Sequence, residues 1–414
     1  MKKEYTYQIS IRMDVPTSVK YLNDQILLGD KKGYKDFTVI VQNNTTYPNI
    51  CAPFAGILDY YQKVKDFQFY FEYEDINPYP VHTHFDSPLD VKSYMNSTEI
   101  KYPFDKVWRF DSFETQSILL REYILAIRQA DIIDEDTILS FEWSLNETMD
   151  NILQHSNTEV GYIMAQLHKV NKRFTVCVFD VGQGMYNSLK GSKHCPETPL
   201  DAITLALQEK VTRDEHVGQG NGLWGLSRLV SESNGLLRIC SAGAEYRINN
   251  GDVFTQKEGN FHLGNDHGTT LVDFQLDYSS PINVTKALNG HKPTDFWLED
   301  LEVGEDEVLV VVSEMSSGTG TRKAAEKFRN LVLNLTLSNK KRVILDFAGV
   351  NLVSSSYADE LIGKIIGQYG FTFFNERFKL KNLTPTNVSV INRSVEQRMA
   401  QVYYNMDFVD DEEE

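Results

Sequence analysis

Glu147, Asn151 and His155 stand at four-residue intervals in the segment Leu145-Asn146-Glu147-Thr148-Met149-Asp150-Asn151-Ile152-Leu153-Gln154-His155-Ser156. Leu145, Met149, Ile152 and Leu153 recur at helical spacing, which places the three polar residues along one side of a helix. A carboxylate and a carboxamide one turn apart suit a magnesium–nucleotide site. The amide oxygen can take the metal, and the acid can polarise a water. Taken alone, Glu147 reads more simply as part of a solvated face, and His155 equally well as a core or capping histidine.

Three further segments carry glycines where a ligand needs backbone. In Val176-Cys177-Val178-Phe179-Asp180-Val181-Gly182-Gln183-Gly184-Met185 an apolar strand runs into a carboxylate and two glycines. Such a turn lets backbone approach a ligand closely while the carboxylate accepts from an amine. Gly218-Gln219-Gly220-Asn221-Gly222-Leu223-Trp224-Gly225-Leu226 precedes a helical-looking stretch, the arrangement of a phosphate cradle. Lys210 and Arg213 lie just before it, placed either to reach phosphates or simply to solubilise a loop. Gly268-Thr269-Thr270 opens the strand Leu271 to Leu276.

In order and spacing, these four segments resemble the N box and three glycine boxes of the GHKL superfamily, the ATP-binding fold of gyrase B, Hsp90, sensor histidine kinases and MutL. The resemblance covers roughly Asp111 to Tyr278. It implies a Bergerat α/β sandwich with a mixed sheet, and ATP and Mg²⁺ as cofactors. Asn151 would ligate Mg²⁺, Glu147 would be the general base, and Asp180 would bind the adenine amino group. Gly182 and Gly184 would pass under the nucleotide. Gly218, Gly220, Gly222 and Leu223 would border the triphosphate beneath a mobile lid, and Thr269 would support the adenine pocket. The chain departs from the kinase pattern G-x-G-L-G-L by inserting Trp224.

The elements that must position these groups are a helix over Ser112 to Ala130, the helix from Thr137 that carries Glu147, and a strand over Lys172 to Asp180. Val160 to His168 reads as a strand or as a continuation of the helix. The long polar stretch Tyr186 to Val217, with helical Leu200 to Glu209, is the expected lid. Leu236 to Ser241 and Glu245 to Ile248 read as strands, with Asn249-Asn250-Gly251-Asp252 as a hairpin turn.

Before them, residues 1–105 form a small α/β domain: a strand over Phe37 to Val41, a helix over Ala52 to Lys63, and a strand over Phe67 to Tyr73. His82, His84 and Asp86 have ligand chemistry, but Pro78, Pro80 and Pro88 mark a loop. Residues 106–280 are the ATP-binding domain and 281–300 a linker. Residues 301–405 form a second α/β domain, and 406–414 an acidic tail. In the second α/β domain, strands over Glu307 to Val312, Arg342 to Phe347 and Phe371 to Phe374 alternate with helices over Thr321 to Leu337 and Tyr357 to Tyr369.

Asp346-Phe347-Ala348-Gly349-Val350-Asn351-Leu352-Val353-Ser354-Ser355-Ser356, continued by Tyr357-Ala358-Asp359-Glu360-Leu361, is similar to the core of STAS domains. The likeness is to those of anti-sigma-factor antagonists and, more so, to the STAS-like domains behind bacterial ATP-binding regulators. It runs over about Leu309 to Val390. It implies a phosphoacceptor at Ser355. The plainer reading of the three serines is a cap on the next helix. The strand–loop–helix plan of the first domain echoes this one, which would put a STAS-like unit on each side of the ATPase.

A net charge of −17 argues against broad phosphate-backbone binding, so nucleic acid is not expected as a partner. Cys51, Cys177, Cys195 and Cys240 lack C-x-x-C spacing and read as free thiols. No apolar run approaches the ~20 residues of a membrane span, and Met1-Lys2-Lys3-Glu4 begins no signal peptide, so a cytoplasmic protein is expected. Three functions fit. The first is an ATP-responsive regulator whose lid closure controls a protein partner through the flanking domains, with slow hydrolysis or a homo-oligomer allowed. The second is an anti-sigma-type serine kinase acting on a STAS-like partner or on its own Ser355. The third is a nucleotide-binding scaffold without catalysis.

Overall fold

The computed structural model describes residues 5–43, 45–75, 78–95, 102–158, 160–209, 222–259, 263, 268–304, 306–337 and 341–407. The chain is a multidomain α+β protein with parallel and mixed sheets among the described residues. It divides into two compact units, Met1–Glu122 with Leu139–Pro293, and Tyr123–Ile138 with Thr294–Glu414.

The first unit begins with a β–α–β–α–β run: β1 (Tyr7–Ile11), α1 (Ser18–Lys31), β2 (Asp36–Val41), α2 (Pro48–Lys65) and β3 (Gln68–Tyr73). The three strands are parallel in the order β1-β2-β3. Their alternation turns Ile9, Ile11, Phe37, Val39 and Val41 into the core. Pro48 sits in the first turn of α2, where its missing N–H costs nothing, and Asp66 ends the helix in the left-handed region.

An eight-stranded sheet follows. Its strands are β4 (Leu89–Asp90), β5 (Trp108–Phe110), β6 (Gly161–His168), β7 (Arg173–Asp180), β8 (Leu236–Ser241), β9 (Ala244–Asn249), β10 (Asp252–Gln256) and β11 (Thr270–Asp277). The order is β10-β9-β8-β11-β7-β6-β5-β4, antiparallel except for the β4–β5 pair. Its helices are α3 (Val91–Met95), α4 (Phe113–Ala130), α5 (Glu135–His155), α6 (Gly184–Lys190), α7 (Pro199–Ala206), α8 (Gly222–Glu232) and α9 (Val284–Ala287). Val160 to His168 is thus strand, and the Asn250–Gly251 turn, with φ of 48° and 85°, closes the β9–β10 hairpin.

Strand β7 is buried from Phe174 to Asp180 because both faces of the sheet are covered. Phe174 packs on Phe141 of α5 with ring centroids 4.4 Å apart. On the other face, Cys177 and Phe179 join the core of the N-terminal strands and α2. Gly56 makes that docking possible: a Cβ there would lie 2.6 Å from the Phe179 ring and 3.0 Å from Tyr162. Polar ties fasten α2 along its length, Asn49 Nδ2 donating to Asp273 Oδ2 at 2.9 Å and the Tyr162 hydroxyl to Asp59. Alternation along β7 therefore points odd residues at α2 and even residues, Asp180 included, at the α4–α5 face.

Within the stretch read as a linker, Ile282, Val284, Ala287 and Leu288 are buried, and Ser140 Oγ of α5 accepts from Val284 N at 3.0 Å.

The second unit adds α10 (Phe296–Glu299), β12 (Glu302–Gly304), β13 (Glu307–Val311), α11 (Val312–Met315), α12 (Arg322–Leu337), β14 (Arg342–Asp346), α13 (Ser355–Ala358), α14 (Lys364–Tyr369), α15 (Phe371–Arg377), β15 (Phe378–Lys381) and α16 (Pro385–Asp407). Strands β13, β14 and β15 are parallel neighbours joined through helices, as are the strands of the N-terminal run. Phe371 to Phe374, read above as a strand, is helix, and the strand comes after it. Gly370, at φ 88°, makes the turn into α15, and Phe374 stacks on Phe378 with centroids 5.1 Å apart. Asn334 of α12 ties down the segment Tyr123–Ile138: its Nδ2 donates to the Arg128 and Asp131 carbonyls, and its Oδ1 accepts from Ile133 N. Among the described residues no helix is long and apolar enough to cross a membrane.

Candidate functional site

Helix α5 carries Glu147 and Asn151 on its partly exposed stripe, as its spacing predicts. The first residue of α8 packs directly on that pair. A Cβ on Gly222 would lie 2.5 Å from Glu147 Oε2 and 3.5 Å from Asn151 Nδ2, so any side chain there would displace the carboxylate from its present position. Burial, with Asp150 adding to it, pushes the Glu147 pKa up to about 7. Asn151 Nδ2 is buried and has no hydrogen-bond partner among the described residues, so its amide can present either end to a ligand.

Asp180 ends β7 and pairs with Thr270, the first residue of β11. Its Oδ1 accepts from Gly182 N at 2.7 Å and the Thr270 side chain bonds it too. Burial still outweighs both and raises its pKa to about 7. The turn after it is pressed against the end of α5. Gln183 N donates to the Ser156 carbonyl at 2.9 Å, and a Cβ on Gly182 would collide with that carbonyl and lie 2.6 Å from Asp180 Oδ1. On the far side Gly184, at φ 74°, touches Gly268, and Thr269 N donates to the Gly182 carbonyl at 3.3 Å.

Three motif segments therefore meet around Asp180, and the fourth begins its helix against Glu147. Gly225, one residue past the inserted Trp224, lets α8 lie on α5 and on the Leu288 segment. A Cβ there would be 2.6 Å from Trp143 and 2.5 Å from Leu288. Trp224 carries Arg228 over its ring at 5.2 Å, and Leu223 is buried. Lys210, Arg213, Gly218 and Gly220 lie outside the described residues. His155 closes the stripe on α5, its carbonyl accepting from Gln183 Nε2 at 2.7 Å.

Sequence reasoning missed three residues here. Ser241 Oγ accepts from Met185 N and donates to the Thr269 carbonyl, each at 2.9 Å, stitching α6 to β11. Gln116 of α4 donates to Asp150 Oδ1 at 2.7 Å and to Asn146 Oδ1 at 3.0 Å. Asp150 stands three residues after Glu147 and adjoins Asn151, a signal that the four-residue series of Glu147, Asn151 and His155 passes over.

His82 lies in a 3-10 turn, Tyr79–Thr83, and His84 follows it at φ 56°. Among the described residues no group of His, Cys, Asp and Glu could hold a metal ion by itself, so His82, His84 and Asp86 form no such site.

In the second unit, Ser354 caps α13 by accepting from Tyr357 N at 3.1 Å, and Ser355 opens the helix with its residue exposed. A π-turn, Asp359–Gly363, follows. Glu360, 2% exposed, meets Arg329, Lys364 at 2.8 Å and Arg322 at 3.4 Å, while Asp359 takes Arg398 at 2.6 Å.

No curated protein matches this chain in sequence. Residues 324–388, from α12 into the first turn of α16, match the family model of a STAS-like domain of unknown function (DUF4325), so this segment is STAS-like.

Proposed function

We propose that the first unit is a GHKL-type ATP-binding domain and that nucleotide governs how the protein, through its STAS-like domain, meets a protein partner. The observation that carries this reading is the packing of Gly222 on Glu147 and Asn151, with Asp180 held by Gly182 and Thr270 on the same side of the sheet. Residues far apart in sequence thereby combine a hard oxygen donor set, a buried carboxylate for an amine, and a helix start of eleven residues.

The donors fit Mg²⁺, which takes oxygen ligands and keeps several waters. Asn151, whose Nδ2 has no partner among the described residues, would hold the ion by its amide oxygen, and the ion when bound neutralises phosphate charge. Asp180 accepts from the adenine amine, and Gly182 and Gly184 bring backbone beneath the base. Glu147, with its pKa near 7, takes a proton from the attacking water.

The test is incubation of the purified protein with Mg²⁺ and γ-labelled ATP, beside Glu147→Ala. Free phosphate released by the wild type and lost in the variant, with ATP binding retained, is the expected result. Loss of binding in the variant would remove Glu147 as the base. Label retained on the protein would favour the kinase reading and make the exposed Ser355 the residue to map. Failure of the wild type to bind ATP would overturn the proposal.

A further inference from the structure

From Asn146 to Asn151, helix α5 keeps Asn146, Glu147, Asp150 and Asn151 partly exposed and buries Thr148 and Met149. These four residues form one polar stripe. Helix α4 brings Gln116 to its edge. Gln116 is only 3% exposed, and its Nε2 is engaged with Asp150 and Asn146 on the stripe. Its Oε1 is buried and finds no hydrogen-bond partner among the described residues.

The two ends of a planar amide point apart, so fixing the nitrogen fixes the oxygen. Reversing the amide would set the oxygen against two oxygens, Asp150 Oδ1 and Asn146 Oδ1. Joining α4 to α5 uses the nitrogen alone. It leaves a buried acceptor unmade. A hydrated cation on Asn151 would supply what is missing: Mg²⁺ keeps several of its waters, and each bound water is a donor in need of an acceptor.

Resting on the nucleotide reading above, we propose that Gln116 and Asp150 form an acceptor wall for the water shell of the cation held by Asn151. Gln116 is a positioning residue in this arrangement: it holds Asp150 through its nitrogen and offers its oxygen to a water. Partners one step removed from a metal typically set its affinity by 10–100-fold, so the wall governs how much Mg²⁺ the site needs.

Calorimetric titration of ATP into the full chain, at stepped Mg²⁺ and again in EDTA, tests this with Gln116→Leu and Asp150→Asn. Asp150→Asn keeps an acceptor for Gln116 and turns the other carboxylate oxygen into a donor, a change small enough for the fold to tolerate. Both variants should raise the half-saturating Mg²⁺ about tenfold or more, with ATP affinity in EDTA unchanged. Mn²⁺ used as a paramagnetic probe in the presence of ATP should bind more weakly by the same factor. An unchanged Mg²⁺ requirement overturns the proposal. So does an ATP affinity that falls equally with and without metal, which would mean that the residues only support the helix. Wild type that binds no ATP in either condition removes the nucleotide reading itself, and this inference with it.

Discussion

Replacing Asp180 by asparagine tests how strongly the fold resists a charge at the end of β7. Burial lifts this carboxyl from its ordinary 3.8 to about 7, against hydrogen bonds from Gly182 and Thr270 that pull the other way. A carboxyl whose folded pKa lies above its unfolded value holds its proton more tightly in the fold. Its stabilising contribution is therefore complete below the unfolded value and is lost as pH rises through the folded one. At 1.36 kcal/mol per pKa unit, the wild type should lose about 4 kcal/mol from this group over the whole range, more than half of it between pH 5 and 8. Asp180→Asn keeps an oxygen for Gly182 and does not titrate. Whatever fixed cost the change carries, the stability of the variant relative to wild type should climb by about 2–3 kcal/mol from pH 5 to 8. Urea midpoints at pH 5, 6, 7 and 8 read that difference directly. Glu147 and Asp273 are raised in the same direction, to about 7 and about 6, but they are common to both proteins and cancel. Parallel curves for the two proteins would refute the argument.

Gly56→Val would drive a side chain into Phe179 and Tyr162, costing about 1–3 kcal/mol in thermal or urea unfolding; wild-type stability would mean that α2 does not seat there. Gly222→Ala sets a methyl against the Glu147 carboxylate and should slow release of phosphate from ATP while far-UV circular dichroism stays unchanged; full turnover would mean that the carboxylate works from another position. In the second unit, Glu360→Gln leaves Arg329 with a weaker partner under the π-turn and should cost about 1–3 kcal/mol, the cations being partly exposed; no change in the unfolding midpoint would count that network as surface decoration.

Legibility followed local signal. The helix of Glu147 and Asn151, the strand ending at Asp180 and the start of β11 were readable because apolar period and glycine position agree there. Strand β1 and helix α1 were not. Half of β1 faces solvent, as Gln8 and Ser10 show, and α1 mixes Leu27 and Leu28 into its exposed surface. Phe371 to Phe374 looked like strand on aromatic propensity alone; tertiary packing on Phe378 decided for helix. Gln116 is invisible in sequence, since a lone glutamine on a helix looks solvated until the neighbouring helix is in place. The close approach at Gly56 likewise has no counterpart in spacing, because its partner is more than a hundred residues away.

That double-sided burial of α2 has a cost in time. The helix emerges from the ribosome before its partners, and one side of it must wait for β7 and β11, whose last residue, Asp277, is made 212 residues after Lys65. At 5–20 residues per second, the apolar surface around Gly56 and Ile57 stays uncovered for roughly 10–40 s of synthesis. The nascent chain thus passes through a window in which a helix bound for the core is uncovered, and chaperone occupancy should peak between the synthesis of β3 and of β11.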